Sequence, residues 1–537
     1  MRRFLVLLGL AILIVSLCGA CAPVTEEPTG EDQPPAAEPK VLVFGAGNQP
    51  GDINPLIGKN ICAEFIDINV YDTLVGRGKK VSPEGYAMED PDNVIPGLAE
   101  SWDISADGLT YTFHLREDVR FHNGNPFDAD DVVFTFEMLQ ANGSYATTFD
   151  ELIAEVKATG QYTVDLTLNR VDPQFLRRIG TYNGCILDKE TVLAAGSDVT
   201  TQMEWLASHA IGTGPFVLGE LTTDIARLEA NPDYWAGPAA LDEVIIKTIP
   251  EAANRKIMLE KGDIDIARSP GTTDYADLEA NPDIDLVIRP GNSKVYYFAM
   301  NTQYPPFDDV RVRQAIAHAI PYEVLIEAVW GGDKYCPQAH SLITSQFPSH
   351  IPVYNYEYDL DKAKALLAEA GYADGFDIQF DLFDVPAYRN CAVMLQAELG
   401  KIGINMEIQP MAPPAFFQAG DAGELNLVVN SWWDNSADVV ALMRKLAHTA
   451  SIPSEGNWAQ YSNPAVDQLI EKAEVEMDPA VRIAYLEAIQ EILAEDVPYA
   501  VFGEGQIVFA ANKKVQGYVH YTDALFRFYE MDIDTGQ

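Results

Sequence analysis

The sequence predicts a mixed α/β protein that contains more than one domain. Segments in which apolar residues alternate, as in half-buried strands, take turns with segments in which apolar residues recur every three or four positions, as in helices. The chain has 537 residues, and chains of that length divide into several hydrophobic cores instead of enlarging one.

The N-terminal segment has the plan of an export signal. Two arginines precede the apolar run at residues 4–17, and small residues then lead to Cys21. The run is about 14 residues long, too short to span a bilayer comfortably. We expect residues 1–20 to be a signal peptide and Cys21 to carry a lipid anchor, which places the body outside the cytoplasmic membrane. Because Cys18 stands where lipoprotein signals usually have an aliphatic residue, ordinary cleavage near Ala20 or an uncleaved anchor stays open.

Residues 21–40 are expected to be a lipid-anchored, disordered tether. They are rich in Pro, Glu and small residues and show no apolar periodicity, so they cannot bury enough surface to offset the entropy of ordering. Proline and like charges keep such a segment extended. A cleavable pro-segment is the alternative.

Strand and helix signals follow in order after the tether. Residues 41–44 are a short apolar run, and residues 111–115 and 162–168 alternate apolar and polar side chains, so each predicts a strand. Between the last two, Asp128 is placed to cap a helix that continues through Leu139.

The second half of the body is richer in helices. They are predicted where an aspartate or a proline precedes an apolar segment of helical period. Their expected extents are 310–320, 322–329, 361–370 and 479–492, the last with Val481, Tyr485, Ile489 and Ile492 on one face. Short strands at 428–430 and 506–510 alternate with these helices.

The acidic composition excludes nucleic acid as a partner. The chain has 36 Lys and Arg against 80 Asp and Glu, a formal net charge of −44. Phosphate binding requires basic surface. An acidic surface keeps an exported protein soluble, and a bias towards cationic ligands is the sharper alternative.

Cysteine and metal motifs are sparse. Outside the signal region the chain has Cys62, Cys185, Cys336 and Cys391. Export permits disulfides, and the three possible pairings stay open. Outside the signal region no CxxC, HExxH or GxxxxGK[ST] motif occurs, so we expect neither a metal site nor a cofactor, and no hydrolysis of ATP by a phosphate loop.

Residues 96–137 carry a long motif, PGLAESWDISADGLTYTFHLREDVRFHNGNPFDADDVVFTFE. It closely resembles the signature block of the family 5 bacterial extracellular solute-binding proteins, the receptors of ABC importers for dipeptides, oligopeptides, nickel chelates and some oligosaccharides. The resemblance covers nearly the whole chain from residue 41. Further matching segments follow in order at 212–220, 231–251, 298–320, 358–372, 396–408 and 461–473.

The resemblance implies a two-lobed fold of the periplasmic-binding-protein type. Two strands would join the lobes as a hinge, ligand would be enclosed between them, and the first lobe would carry an extra subdomain that contains the motif. The expected boundaries are 41–293 plus 500–537 for lobe I, 80–205 for its subdomain and 294–499 for lobe II, with crossings near 296–301 and 498–505.

The resemblance also implies a site for the ammonium group of a peptide. Peptide receptors of this family commonly bind it with an aspartate in a loop that follows a tryptophan. The matching stretch here is NSWWDNSADVVALM, residues 430–443, with Asp434 at the corresponding place. The usual acidic, proline-containing continuation is absent, and Asp434 or Asp438 is alternatively placed to cap the helix near Val439.

Other ligand contacts are expected from an arginine and from aromatic rings. Arg389 matches the position at which dipeptide receptors bind the ligand carboxylate, and a surface ion pair is the alternative. Trp432, Trp433 and Trp458 offer flat apolar surface, although core packing accounts for at least one of them.

The function implied is that of a monomeric receptor that captures peptides and delivers them to an ABC permease, without chemistry of its own. An oligosaccharide receptor of the same family is the first alternative, and a nickel-chelate receptor or a signalling receptor stays open. An exported glycoside hydrolase with paired carboxylates is the alternative from a different class.

Overall fold

The computed structural model describes residues 39–57, 60–142, 152–432, 438–453 and 456–535. The predicted signal peptide and tether, including Cys21, lie outside these residues. Among the described residues, no helix combines the length and the apolar character that crossing a membrane requires.

Strands and helices alternate along the described chain. The strands are β1 Val41–Ala46, β2 Val75–Val81, β3 Ala87–Pro96, β4 Ala99–Ile104, β5 Thr110–Leu115, β6 Ile153–Gly160, β7 Thr163–Leu168, β8 Phe216–Leu221, β9 Ile225–Ala230, β10 Glu243–Thr248, β11 Ile266–Arg268, β12 Ile284–Met300, β13 Phe376–Phe383, β14 Ile404–Met411, β15 Leu427–Trp432, β16 Tyr499–Asn512, β17 Val515–Gln516 and β18 Asp532–Ile533. The helices are α1 Ile61–Val70, α2 Ala129–Asn142, α3 Phe175–Ile179, α4 Lys189–Ala195, α5 Val199–Leu206, α6 Ala252–Lys261, α7 Tyr275–Ala280, α8 Val310–His318, α9 Tyr322–Trp330, α10 Leu360–Glu369, α11 Pro386–Lys401, α12 Pro413–Asp421, α13 Val439–Ala447, α14 Pro464–Val475 and α15 Pro479–Asp496.

The predicted helix starts at 310, 322 and 479 are confirmed, whereas the helix predicted from 361 begins at Leu360 with Asp359 as its cap. Asp309 accepts a hydrogen bond from the backbone N–H of Arg311 at 2.8 Å, and α8 begins at the next residue. Asp478 caps α15 in the same way. The expected apolar face of α15 is wrong at its start, because Val481 is 38% exposed. Further along, its buried face includes Leu486.

One eight-stranded sheet, in the order β15-β12-β16-β11-β1-β10-β9-β8, runs through the molecule. Its two longest strands, β12 and β16, are antiparallel partners with an interruption. Residues 284–290 of β12 pair with 506–512 of β16, and residues 295–299 pair with 499–504. The first half of this pair is flanked by β11 and the second half by β15.

The interruption is a close approach of two glycines. A Cβ atom on Gly291 would lie 2.1 Å from the carbonyl oxygen of Gly505, and a Cβ atom on Gly505 would lie 2.8 Å from the side chain of Lys294. Neither separation is tolerated between non-bonded heavy atoms. Glycine at both places therefore allows the two strands to pass each other here. We call this point the crossing.

The hydrophobic core is divided on either side of the crossing. One large cluster includes Phe44 of β1 and Phe65 of α1, whose ring centroids are 5.3 Å apart. Beyond the crossing, a second cluster contains Phe298 and a third contains Tyr297, neighbouring residues of β12 that face opposite ways. We call the part around the first cluster lobe I and the part around the other two lobe II.

The sequence motif at residues 96–137 lies in a small sheet of lobe I. This sheet has the order β4-β5-β7-β6 and packs against α2. Tyr111 and Phe113 of β5 are buried in the first cluster, and Gly108 has a positive φ of 72° in the preceding turn. These motif residues are therefore core and turn residues, as their apolar and glycine character predicts.

A buried ion network fastens the C-terminal segment to lobe I. The Asp523 carboxylate, which is 0% exposed, lies 2.7 Å from Arg77 Nη1 and 2.8 Å from Arg527 Nη2. Glu89 joins Arg77 and Arg177 at 3.3 and 3.2 Å. Burial alone would raise the pKa of Asp523, but Arg527 and Arg77 outweigh it and hold that pKa at about 2. Each charge in this network depends on its partners, since a buried charge left alone is very costly.

Replacing Asp523 with Asn should lower the free energy of unfolding by about 3–5 kcal/mol at neutral pH, because Arg527 loses its carboxylate partner and Arg77 keeps only the 3.3 Å contact with Glu89. Since the pKa of Asp523 lies below the ordinary value of 3.8, this stabilisation is present at neutral pH and is lost as the pH falls through about 2. Urea unfolding measures the change. The control is Asp532→Asn, which removes the 2.7 Å exposed pair with Lys40 and should cost less than about 1 kcal/mol. Equal costs would contradict the importance of the network.

Replacing Gly291 with Ala should destabilise the protein by about 1–3 kcal/mol, because the new methyl group overpacks the crossing. Gly400 of α11 is the matched control. A Cβ atom there meets nothing within 4 Å, so Gly400→Ala should stabilise by about 0.5–1 kcal/mol through helix propensity. Thermal unfolding of the two variants should shift in opposite directions, and a shift in the same direction would contradict the contact at the crossing.

Candidate functional site

The candidate site is the space between the lobes, at the strand ends that meet near the crossing. β15 is antiparallel to β12, and its last residue, Trp432, pairs with Val295. Val295 is the first residue of β12 to regain a partner in β16 after the crossing. Trp432 therefore lies at the end of lobe II that faces lobe I. Trp433 and Asp434 follow it directly but lie outside the described residues, so their ligand contacts stay predictions.

Trp432 belongs to an aromatic cluster. It is half-buried and stands edge-on to Trp458, with ring centroids 5.9 Å apart and an interplanar angle of 88°. Trp458 is only 4% exposed and packs against Phe416 and Phe417, with centroids 5.4 and 5.9 Å away. Lys445 Nζ lies 5.5 Å from the Trp432 ring. Trp432 has surface available for a ligand, whereas Trp458 supports it from the core.

Arg389 lies near this cluster but already has a partner. It is in the first turn of α11, its side chain is 54% exposed, and its Nε and Nη2 atoms are 2.9 and 2.5 Å from Asp384 Oδ1. The adjacent Tyr388 hydroxyl is 2.9 Å from Ser431 Oγ, which places the start of α11 against the end of β15. A ligand carboxylate at Arg389 would have to compete with Asp384.

Asp438 joins the two lobes. It caps α13 by accepting a hydrogen bond from the Val440 N–H at 3.0 Å, as one of the two alternatives for this helix predicted. Its carboxylate pairs with Arg482 of α15 at 2.9 Å and with Arg178 of α3. Arg178 also holds Asp172 at 2.8 Å. Since Asp438 belongs to lobe II and Arg178 to lobe I, this contact bridges the cleft.

The electrostatics of this bridge favour the charged form of Asp438. The residue is 3% exposed, and burial alone would raise the pKa of its carboxyl. The Arg178 and Arg482 guanidinium groups outweigh burial and lower that pKa. Sequence reasoning missed Arg178, because its partner is 260 positions away and no local pattern links the two residues.

Other contacts also join the two lobes. Arg170 of lobe I lies 3.1 Å from Glu474 of α14. Gln346 Nε2 donates to the carbonyl oxygen of Gly291 at 2.6 Å. Lys334 of lobe II forms an ion pair with Glu279 of lobe I. The described structure therefore has its lobes in contact.

The described cysteines and titratable groups offer no metal centre. Cys62, Cys185, Cys336 and Cys391 are all free thiols and buried, so none of the three disulfide pairings occurs in the structure. Burial raises the pKa of the Cys391 thiol to about 12, which keeps it protonated. No group of three or more His, Cys, Asp or Glu side chains among the described residues is arranged to hold a metal ion.

Comparisons with known proteins agree with this architecture. Residues 93–454 match the family described as bacterial extracellular solute-binding proteins, family 5 Middle. The chain is 30% identical to Heme-binding protein A of Haemophilus influenzae, over 98% of each chain, and 30% identical to the Dipeptide-binding protein of Escherichia coli, over 90% of this chain and 93% of that one. The solved periplasmic binding protein DppA from Helicobacter pylori, in complex with the peptide STSA, is 30% identical with a TM-score of 0.78, covering 92% of this chain and 98% of its own. The chain therefore belongs to the family 5 bacterial extracellular solute-binding proteins and has their two-lobed α/β fold.

Proposed function

We propose that this protein is the substrate-binding receptor of an ABC importer and that it captures di- or oligopeptides between its two lobes. The observation that carries the proposal is the match over most of the chain to peptide receptors, one of them solved with a peptide bound. Its family consists of solute-binding proteins, and we infer that this chain likewise performs no catalysis and needs no cofactor.

Closure of the lobes supplies the mechanism. A ligand between the lobes contacts both of them only in the closed arrangement, so its binding favours that arrangement. The ion pair between Arg178 and Asp438 adds to the stability of the same arrangement. A closed receptor differs in shape from an open one, and this difference allows a permease to recognise the loaded form.

We place the peptide against the hinge end of lobe II. Asp434 would pair with the ammonium group, and Trp432 and Trp433 would line a side-chain pocket, with Trp458 behind them. Arg389 would meet a carboxylate if it exchanged Asp384 for the ligand. An exposed ion pair such as this one is worth little, so the exchange costs little.

The location proposed is outside the cytoplasmic membrane, with Cys21 as a lipid anchor and residues 21–40 as the tether. An anchored receptor stays close to its permease without a transmembrane helix of its own. We propose a monomer that works with permease subunits and a separate ATPase. A signalling role is distinguished by gene neighbours, since permease and ATPase genes beside this one favour import.

The boundaries between the lobes stay predictions at 293 and 500. Strand pairing favours 291–294 for the first crossing and residue 505 for the second, because there β12 and β16 interrupt their ladder. Residues 499–504 pair with the lobe II half of β12. Limited proteolysis at the crossing would refine these limits.

Heme is the second candidate ligand, and the name of one relative with 30% identity favours it. Heme is a large flat molecule with two carboxylates, whereas a peptide carries an ammonium group. Titration with heme, followed by its visible absorbance, and calorimetry with peptides separate the two ligands. Mass spectrometry of solutes that co-purify with the protein identifies the natural one.

Calorimetry with di- and tripeptides should show binding to the protein without its signal segment. Asp434→Asn should weaken that binding by roughly an order of magnitude or more, because it leaves a buried ammonium group unpaired. Asp421→Asn, at the exposed end of α12, should leave the affinity unchanged. No peptide binding by the wild type would contradict the proposed function, and unchanged affinity in Asp434→Asn would contradict only the assigned residue.

Arg178→Gln should weaken ligand binding roughly tenfold or more, because it removes a buried charged hydrogen bond that forms between the lobes. Arg170→Gln is the matched control. It removes a contact between the lobes in which the arginine is 48% exposed, so its effect should stay within about fivefold. At the same ligand concentration, small-angle scattering should show less complete closure of the lobes in Arg178→Gln than in the wild type. Equal effects of the two variants would contradict the role of the Asp438 bridge.

A further inference from the structure

Arg268 and Arg289 of lobe I are half-buried, and neither has a carboxylate partner among the residues that the structure describes. Arg268, the last residue of β11, is half-buried, and its guanidinium group makes no described hydrogen bond or ion pair. Its nearest described ring contact is Phe65, with 5.3 Å from Cζ to the centroid. Arg289 of β12 is also half-buried, and it donates only to the carbonyl oxygen of Ile288 at 2.8 Å. Its Nε atom is buried without an acceptor.

Both arginines stand on one face of the sheet, at the end nearest lobe II. Phe509 of β16 pairs with Arg268 on one side and with Val287 on the other. Residues paired across strands point to the same face of a sheet, so Arg268, Phe509 and Val287 share a face. Residues two apart on one strand also share a face, so Arg289 lies on the same face as Val287 and Arg268. Arg289 is followed directly by Pro290 and the crossing. The strands of Arg268 and Arg289, β11 and β12, are separated only by β16. The two arginine backbones are therefore about 10 Å apart in the direction across the strands.

Aromatic rings enclose this pair of arginines. Arg289 Cζ lies 3.9 Å from the Tyr86 ring centroid. Tyr518 packs on Phe509, with ring centroids 4.7 Å apart. Phe509 is the residue of β16 that pairs with Arg268. Such rings exclude water and hold cations by their faces. They do not neutralise a charge as a carboxylate does.

Other buried arginines of lobe I have a carboxylate or several carbonyl oxygens as partners. Arg77 and Arg527 share the Asp523 carboxylate. Arg255, close in space to Arg268, donates to the carbonyl oxygens of Ile249, Pro250, Arg268 and Ser269. A chain with 80 acidic residues against 36 basic ones has ample carboxylates to pair with Arg268 and Arg289, yet none of those that the structure describes lies within ion-pair distance of either.

Glu64 is the acidic side chain that faces Arg268, and it does not neutralise the arginine. No ion pair within 4 Å joins them in the described structure. Burial, and next the charge of Asp523, raise the pKa of Glu64 to about 7. At neutral pH this carboxyl is therefore only partly ionised. Arginine itself stays protonated in such an environment.

We propose that Arg268 and Arg289 form a subsite in lobe I that binds the carboxylate of the captured solute, which for a peptide is its C-terminal group. The proposal rests on the proposed function. A buried cation without a partner is costly, and a ligand carboxylate between the lobes removes that cost while accepting hydrogen bonds from planar guanidinium groups. This subsite is separate from Arg389, whose charge Asp384 already balances.

The test compares a tripeptide with its C-terminal amide by calorimetry. The wild type should prefer the free acid by roughly 10- to 100-fold. Arg268→Gln and Arg289→Gln should weaken binding of the acid by a similar factor and lose most of the preference over the amide. A tripeptide with a glutamate side chain and an amidated C-terminus distinguishes a side-chain carboxylate from the terminal one.

Thermal unfolding without ligand separates binding from a structural role. Removing an unpaired buried charge should leave the melting temperature of Arg268→Gln unchanged or higher, whereas loss of a structural arginine would lower it. Arg227→Gln is the matched control. Arg227 lies on β9 of lobe I and pairs with Glu220 and Glu243 at the surface, so its loss should alter neither affinity nor the preference for the acid.

The outcomes distinguish this inference from the proposed function. If peptides bind and both arginine variants keep the full preference for the acid, the subsite is wrong and the peptide function stands. If no peptide binds to the wild type, the peptide function is wrong. Succinate at constant ionic strength then decides the subsite: it should raise the melting temperature of the wild type and not of the double variant, and equal responses would overturn it.

Discussion

The architecture depends on one close approach, between Gly291 of β12 and Gly505 of β16. A side chain at either position would collide with the opposite strand. Because the strands pair on both sides of this point, one sheet joins the core of lobe I to the two core clusters of lobe II. The strand ends and the loops after them then face each other across the gap. In α/β sheets the carboxyl ends of strands are where ligands bind, and Arg268 and Trp432 occupy two such ends.

Charge acts in this protein at two ranges. The formal net charge of −44 produces a field that favours cations, but salt screens exposed charges beyond about 8 Å. If so acidic a chain captures a carboxylate, the attraction must therefore come from positive charges close to the ligand. Half-buried arginines meet that need, because a charge interacts more strongly where water is excluded. The same reasoning separates Asp438, held by two arginines in the interior, from Arg170 and Glu474, whose contact is partly exposed.

Local structure was predictable from the sequence where a cap and an apolar period coincide, as at Asp309 and Asp478. The length of β16 was not predictable, since Gly503 and Gly505 resemble strand breakers and the strand is continued by pairing with β12. For the site, Trp432 follows from the resemblance. Arg268 does not follow from the resemblance, although an arginine directly after the strand segment IDIA could have indicated a binding residue at a strand end. Whether a charge has a partner is decided by contacts between distant parts of the chain.

The position of Asp438 connects closure with ligand binding. The residue begins α13 and ends the segment that carries Asp434, so its carboxylate fixes one end of the predicted ammonium-binding loop. Arg482 holds this carboxylate within lobe II in any arrangement of the lobes, whereas Arg178 reaches it only across the cleft. Separation of the lobes would leave Asp438 with one guanidinium group and more water around it. The start of α13 would then be less firmly held. Ligand affinity and closure are therefore coupled, since a ligand that favours the closed arrangement also favours the contact between Asp438 and Arg178, and the reverse holds by linkage.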